Sequence, residues 1–471
     1  MSGSPLLQLA GRSPRSSALV DGRTVVLVDP YWTRNKDPRV PLGHGSLLAA
    51  LRRAGVAVHS LPVAVNAEAR AVERLADDVL DRCAGLRSDE VDVAVGTYVW
   101  GEAVVQRLLP KLRARGFRGR IILGGPQISY AGPGLERLYP EADGFVRGYG
   151  EEALVRLAGR PGRPRIPGVH HAGDDDRVAQ ADVDLEQLAS PWLDGVIPLD
   201  GQRFVRWETQ RGCPFRCSFC QHREPGARLV RRQLARARVL AEVDLFCSAG
   251  VGEIAVLDPI FTPLPGQGAW ATAVLERFAA QHFRGRLALQ CRAELIDHDF
   301  LAATRGLDLC LELGLQTIHP TEGHAVYRNN NVAIVERVLA DLRRHGLDHE
   351  VSLIFGLPGQ TLASFVASVG WCLARRVPTI KAFPLLLLRG TALERERARW
   401  GYHDDGGPMA MVTVSTSFSH GDWCAMSRIA EALRQTEGRH PATIEEVLAL
   451  AGDLRPDLGN WQAPGSNCGD A

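Results

Sequence analysis

The chain has 471 residues, a formal net charge of +1 and 45% apolar residues, enough for roughly two to four domains with sizeable cores. Near-neutral charge gives no electrostatic reason to expect a nucleic-acid partner, and no stretch reaches the roughly 20 apolar residues of a membrane span. Residues 1–23 carry a short apolar patch with arginines after it, which reads as a flexible tail rather than a secretory leader. The chain is therefore expected in the cytoplasm, where thiols stay reduced.

Strand and helix patterns alternate from residue 24 onward. TVVLVDPYW (24–32) reads as a strand, GSLLAALRRAG (45–55) as a helix with a glycine stop, and AVHSLPV (57–63) as a strand. A helix over 68–85, a strand over 91–100, a helix over 103–116 interrupted at Pro110, and a strand over 120–129 follow. GFVRGYGEEALVRLAG (144–159) reads as strand, turn and helix. This alternation predicts an α/β, doubly wound, Rossmann-like domain over 24–160. Ligands on such sheets bind beyond the carboxyl ends of the strands, and Gly124-Gly125 ends one of them with room for close approach to the backbone.

Residues 161–200 are rich in Pro, Gly and Asp and read as a linker, with His170-His171 solvated. From 201 to 395 alternation resumes as six β/α units, which predicts a partial (β/α)6 barrel with its chemistry at the carboxyl ends of the strands. An arginine-rich helix is expected over 227–250, with Arg228, Arg231, Arg232, Arg236 and Arg238 on a solvated face. Residues 396–471 predict a small helical capping region, with helices near 422–436 and 443–452.

Seven of the ten cysteines are scattered, as buried cytosolic cysteines are. Cys213, Cys217 and Cys220 are clustered as C-x3-C-x2-C on the loop after the first barrel strand. Thiolates at that spacing suit a metal centre. No second C-x2-C exists to complete a zinc ribbon, whereas an iron–sulfur cluster held by three thiolates keeps one iron open.

These residues resemble the radical-SAM superfamily: Cys213, Cys217 and Cys220, with Phe219 just before the last cysteine. The resemblance implies a [4Fe–4S] cluster and S-adenosylmethionine (SAM). Asp258-Pro259 stands where the family contacts the methionine amine, and LIFGLPGQT (353–361) resembles its adenine-side stretch, with Gly356 within it and Gln360 at the acidic position. Residues 24–160 resemble a cobalamin-binding domain: Thr97-Tyr98 stands where that family ends its third strand in a small-residue motif, and Gly124-Gly125 where its double glycine holds the nucleotide tail, with Pro126, Gln127, Gly150 and Glu151 as further expected contacts. The family's D-x-H-x-x-G is not matched, because Pro41, Leu42 and Gly43 precede His44. The implied cobalt then lacks a histidine below it, and Tyr31, Trp32, Arg34 or Arg39 covers that face.

Together the halves resemble the cobalamin-dependent radical-SAM family, and RFVRWETQRGCPFRCSFCQHRE, LDPIFT, LELGLQTIHP and FPLLLLRGT resemble its tryptophan 2-C-methyltransferases of thiopeptide biosynthesis. The resemblance implies a methyltransferase carrying a methyl from SAM through methylcobalamin to a carbon of a small-molecule or peptide substrate, with C2 of tryptophan as a candidate. It implies an external electron donor of flavodoxin or ferredoxin type and a monomer. Asp258, Arg292 and Glu294 are the expected catalytic residues, and Gln316 joins the cofactor-binding set. Asp258 either contacts the SAM amine or caps the open iron. A cobalamin-dependent radical-SAM enzyme that forms or rearranges rings, and a non-catalytic corrinoid-binding subunit, remain as alternatives.

Overall fold

The run TVVLVDPY forms strand β1 (Thr24–Tyr31), buried from Val25 to Pro30. Unbroken apolar burial is what a central parallel strand needs when helices cover both its faces. After it come α1 (Leu42–Arg53), β2 (Val58–Ala64), α2 (Val72–Cys83), β3 (Val91–Gly96), α3 (Glu102–Ala114), β4 (Arg120–Gly124), α4 (Pro126–Ser129), α5 (Leu135–Leu138), β5 (Gly144–Val146), α6 (Gly150–Ala158) and β6 (Val169–His171). The computed structural model that gives these elements describes residues 22–66, 72–222, 230–264, 268–407 and 409–454.

The strand order is β2-β1-β3-β4-β5-β6. Strands β1 to β5 run parallel and β6 runs antiparallel to β5. The order reverses between β1 and β3, so the ligand crevice of this doubly wound sheet lies beyond their carboxyl ends. Two departures from expectation stand out. The strand expected over 120–129 stops at Gly124, because Gly125 turns to φ 94° and Pro126 starts α4. The expected linker contributes β6 to the sheet: His170 is buried there, its ring stacked on Phe145 at 5.7 Å and its Nε2 2.5 Å from Glu136. Further on, Trp192 and Ile197 of the same segment join the barrel core.

The second half continues with β7 (Phe204–Trp207), β8 (Gln210–Arg211), β9 (Arg232–Gln233), α7 (Arg236–Ser248), β10 (Glu253–Val256), α8 (Gly268–Ala280), β11 (Arg286–Cys291), α9 (His298–Ala303), β12 (Asp308–Gln316), α10 (Pro320–Ala325), α11 (Val332–Arg344), β13 (Asp348–Phe355), α12 (Leu362–Ala374), β14 (Thr379–Pro384), α13 (Ala392–Arg395), β15 (His403–Asp404), β16 (Val412–Val414), α14 (His420–Gln435) and α15 (Ile444–Asp453). Six parallel strands in the order β14-β13-β12-β11-β10-β7 form a partial (β/α)6 barrel, open between β7 and β14. Along β11 and β12 every second residue is buried, as the period-two pleat of a barrel wall requires. The arginine-rich helix starts only at Arg236, because Arg232 and Gln233 pair with Arg211 and Gln210; Arg228 lies outside the described residues. On α14, Trp423, Met426, Ile429 and Leu433 are buried in the barrel core, so the C-terminal helices complete that core.

Candidate functional site

At the carboxyl edge of the first sheet lies a slot of about 170 Å³ between the strands and helices α1 and α6. Its walls are apolar, from Leu27, Val28, Leu47, Ile122, Val146 and Leu154, and Gly43, Gly96, Gly124, Gly125, Gly148 and Gly150 line its mouth. Glycines make that space, since each missing side chain widens the approach to the backbone. At Gly125 the backbone also demands glycine: a Cβ there would sit 2.9 Å from the Thr97 carbonyl oxygen. Thr97 is fully buried, and Tyr98 lines the slot and stacks on Trp100 at 4.9 Å.

Asp29 and His44 also line the slot. The missing D-x-H pairing is partly rebuilt in space, because the end of β1 puts Asp29 Oδ2 3.9 Å from His44 Nδ1. His44 Nε2, however, shares a 2.8 Å hydrogen bond with Ser60 Oγ on β2. Burial keeps His44 neutral, pulling it down to about 4, and burial pushes Asp29 up to about 7. Glu151, at the start of α6, also lines the slot. Burial opposes its ionisation, yet Arg211 and Ser46 override that and hold its carboxyl below the ordinary range.

Beyond the slot a larger cavity of about 1100 Å³ lies between the first sheet and the barrel, bordered by Tyr31, Trp32, Arg34, Trp100, Phe355 and Phe383. The loop after β1 crosses to the barrel's open side, where Asp37 pairs with Arg206 at 2.9 Å and Lys36 with Glu253 at 2.6 Å. Arg39 is exposed and is not part of this wall, unlike the other residues expected to cover the cobalt. Gln127 turns its amide nitrogen to Glu102 rather than into the slot.

The three cysteines sit on an irregular loop at the barrel rim. Cys217 is buried and Cys213 and Cys220 are half-buried. Backbone bonds fix the loop: Ser218 N–H donates to Val326 O at 3.0 Å, and Ser218 O accepts from Leu393 N–H at 3.0 Å. Burial pushes the Cys213 thiol up and the Cys220 thiol to about 12, while Arg328 pulls both the other way. Each of the two also feels the charge of Cys217, so the three thiols share one neighbourhood. Among the described residues no three His, Cys, Asp or Glu groups are close enough to share a single metal ion. A cluster puts each thiolate on a separate iron, and bound metal keeps its thiols deprotonated.

Arg292 lies 4.0 Å over the Phe215 ring within this loop and 3.3 Å from Glu294 Oε2. Gln316 ends β12 at φ 64°, beside a register shift between Gly314 and Gln316. Such bulges re-aim side chains near functional sites. Gly356 (φ 95°) donates to Gln360 Oε1 at 2.7 Å, and Gln360 is fully buried holding that turn. Phe219 packs against the barrel core.

Asp258 departs from both expected roles. Its Oδ1 accepts from Thr209 N–H at 2.7 Å and Gln210 N–H at 3.2 Å, and its Oδ2 from the Thr209 hydroxyl at 2.5 Å. It is fully buried, so this carboxylate ties β10 to the segment leading into the cysteines rather than facing a ligand. Sequence reasoning also missed Arg211, Tyr130, Glu102 and Tyr139, whose hydroxyl donates to Glu102 Oε1 at 2.5 Å. Arg211 carries a signal, its place two residues before Cys213; the other three carry none.

Buried polar atoms without a partner among the described residues occur at both places, though not there alone: Arg147 Nε, His349 Nε2 and Arg375 Nε lie elsewhere. Around the slot they are Asp29 Oδ1, His44 Nδ1, Thr97 Oγ1, Trp100 Nε1 and Gln127 Oε1; around the cysteine loop they are Gln210 Oε1, Ser218 Oγ, Glu294 Oε1 and Gln316 Oε1. Native proteins rarely leave such atoms unsatisfied, at about 1–3 kcal/mol each. The glycine-lined slot and the three thiols, each with unpartnered polar atoms beside them, fit a corrinoid at the first place and a cluster with SAM at the second.

Residues 207–372 match the Radical SAM superfamily. A 2-(S-pantetheinyl)-carbapenam-3-carboxylate methyltransferase from Streptantibioticus cattleyicolor is 29% identical over 223 residues, 44% of this chain and 32% of the relative. The cobalamin-dependent radical SAM methyltransferase TokK from Streptomyces tokunonensis is 25% identical over 304 residues, 60% of this chain and 44% of the relative. The chain thus spans less than half the length of the curated relatives it matches. Among solved structures, the methyltransferase TsrM from Kitasatospora setae, with tryptophan and a SAM analogue bound, aligns at TM-score 0.68 and 18% identity over 91% of this chain and 96% of its own. The cobalamin-dependent radical enzyme OxsB aligns at TM-score 0.68 and 14% identity over 89% and 67%. These comparisons bear out the resemblance to cobalamin-dependent radical-SAM enzymes, and the structural likeness shows a shared fold.

Proposed function

We propose that this protein is a cobalamin-dependent radical-SAM methyltransferase acting on carbon of a small molecule or peptide. The carrying observation is the adjacency of the two sites: Arg211, two residues before Cys213, is 2.8 Å from Glu151 in the wall of the slot. When bound, the cluster supplies electrons, SAM the methyl group and the corrinoid a carrier for it; the protein supplies position and exclusion of water.

Cys213, Cys217 and Cys220 hold the cluster. Arg292, Glu294, Gln316, Phe219 and Gly356 form the SAM side of the rim, and Thr97, Tyr98, Gly124, Gly125 and Gly150 hold the corrinoid. His44 Nε2 is engaged by Ser60, and Tyr31, Trp32 and Arg34 border the larger cavity and would cover a corrinoid bound there. With that bond kept, His44 would not ligate a bound cobalt, and the EPR spectrum of the cob(II)alamin form should lack nitrogen splitting from the protein. Since Asp258 is engaged by Thr209 and Gln210, it would not cap the cluster, and the cluster's open iron would be available to SAM. Reducing electrons come from a flavodoxin- or ferredoxin-type donor.

Tryptophan is the first substrate to try, on the sequence resemblance and on the bound tryptophan of TsrM. The test is anaerobic reconstitution with cobalamin, labelled SAM and tryptophan, following methylated product and deoxyadenosine together. Labelled methyl-tryptophan supports the full reading. Deoxyadenosine without methyl transfer moves the assignment to ring formation or rearrangement, and binding of both cofactors without SAM turnover moves it to a corrinoid-binding subunit.

A further inference from the structure

The cysteine loop is stitched to the slot at both of its ends. On the leading side, Arg211 reaches Glu151 at 2.8 Å and Glu208 at 2.7 Å, with its guanidinium 5.0 Å over the Tyr149 ring. Tyr149 and Glu151 both belong to the wall of the slot. On the trailing side, Gln221, next to Cys220, donates to Arg389 O at 2.7 Å and accepts from the Tyr130 hydroxyl. Arg389 in turn donates to Gln127 O at 3.1 Å and pairs with Glu102 at 2.8 Å. Gln127 follows the double glycine of the slot by two residues. Between these anchors, residues 212–222 form no helix or strand.

We infer that Arg211 and Arg389 are positioning residues that make corrinoid binding and cluster binding cooperative. The inference rests on the function proposed above. The structure holds these contacts made, and the proposal adds a second state in which they are broken. A ligand in the slot favours the made arrangement by fixing Tyr149–Glu151 and the turn before Gln127. A cluster favours it by fixing Cys213–Cys220. Two ligands that bias one equilibrium strengthen each other by the same factor, whichever binds first. Arginine suits the task because its planar fork meets a carboxylate and a second acceptor at once.

The test uses the full chain, with its cluster reconstituted or removed by chelation, and titrates hydroxocobalamin under anaerobic conditions. Cluster-loaded protein should bind on the order of tenfold more tightly than cluster-free protein, and bound cobalamin should slow iron loss to a chelator. In Arg211→Gln, and independently in Arg389→Gln, the affinity ratio should fall toward one while binding persists; Arg211→Lys should restore part of it. An equal affinity with and without cluster in the parent protein, or an unchanged ratio in both variants, overturns the inference alone. No cobalamin binding in either form overturns the proposed function and the inference with it. Because each ratio compares two forms of one variant, a general loss of stability does not mimic the result.

Discussion

The Asp258 carboxylate takes both the backbone N–H and the hydroxyl of Thr209, at 2.7 and 2.5 Å. A buried acceptor serving three donors holds structure, and its loss leaves donors unsatisfied. Asp258→Ala should lower global stability by about 1–3 kcal/mol, read from the denaturant midpoint. Asp258→Asn keeps an oxygen for the two N–H groups and should keep SAM cleavage. A stable Asp258→Asn that makes no deoxyadenosine would instead put this residue on the cofactor.

Gly124 separates folding from ligand binding. A Cβ there meets Val146 O only at 3.7 Å, ordinary contact, and its backbone is that of a strand end. Gly124→Val should therefore fold with a stability change below about 1 kcal/mol yet fill the slot and lose cobalamin in equilibrium dialysis. Gly125→Val, with φ 94° and Thr97 O at 2.9 Å, should lose both folding stability and binding.

Asp29 and His44 give opposite pH slopes in the ligand-free protein. Burial raises Asp29 from 3.8 to about 7. The unfolded chain therefore releases this proton first, and stability falls as pH rises through that window. Burial lowers His44 from 6.5 to about 4, so below 6.5 the unfolded chain takes up a proton the folded one refuses, and stability falls as pH drops. Asp29→Asn removes only the first slope. Its stability relative to the parent should climb by up to about 1.4 kcal/mol per pH unit between about 4 and 7 and then level off, measured by denaturation at several pH values.

Gln316 holds a left-handed backbone at φ 64°, a conformation costing a non-glycine residue on the order of 1 kcal/mol. Gln316→Gly removes that strain, offset in part by the unfolded-state entropy of glycine. Stability should stay level or rise, while affinity for labelled SAM falls in equilibrium dialysis. A residue retained only for packing would show neither retained stability nor a selective loss of SAM.

Much of the molecule was legible in the chain. Alternating apolar runs mark β1 to β5 and the six barrel strands, because a parallel strand between helices has to be apolar whatever its neighbours are. Cys213, Cys217 and Cys220 were legible because their spacing is covalent and local. The short β6 was hidden in a Pro- and Gly-rich segment, where pairing with β5 outweighs weak local preference. Arg39 stands out in sequence among Tyr31, Trp32 and Arg34, yet the loop turns it to solvent.

By itself, then, the sequence determined two sheets in succession, a thiol triad on the first barrel loop and a double glycine after β4, since periodicity and short spacings survive in any tertiary setting. Only the tertiary structure decided what those parts meet. It turned Asp258 onto Thr209, put Ser60 against His44, and brought Glu151 to Arg211 and Gln127 to Arg389 across 60 and 262 residues of chain. The first two depend on how neighbouring segments pack within one sheet's unit and the last two on how the two sheets dock, neither of which a local pattern of residues encodes.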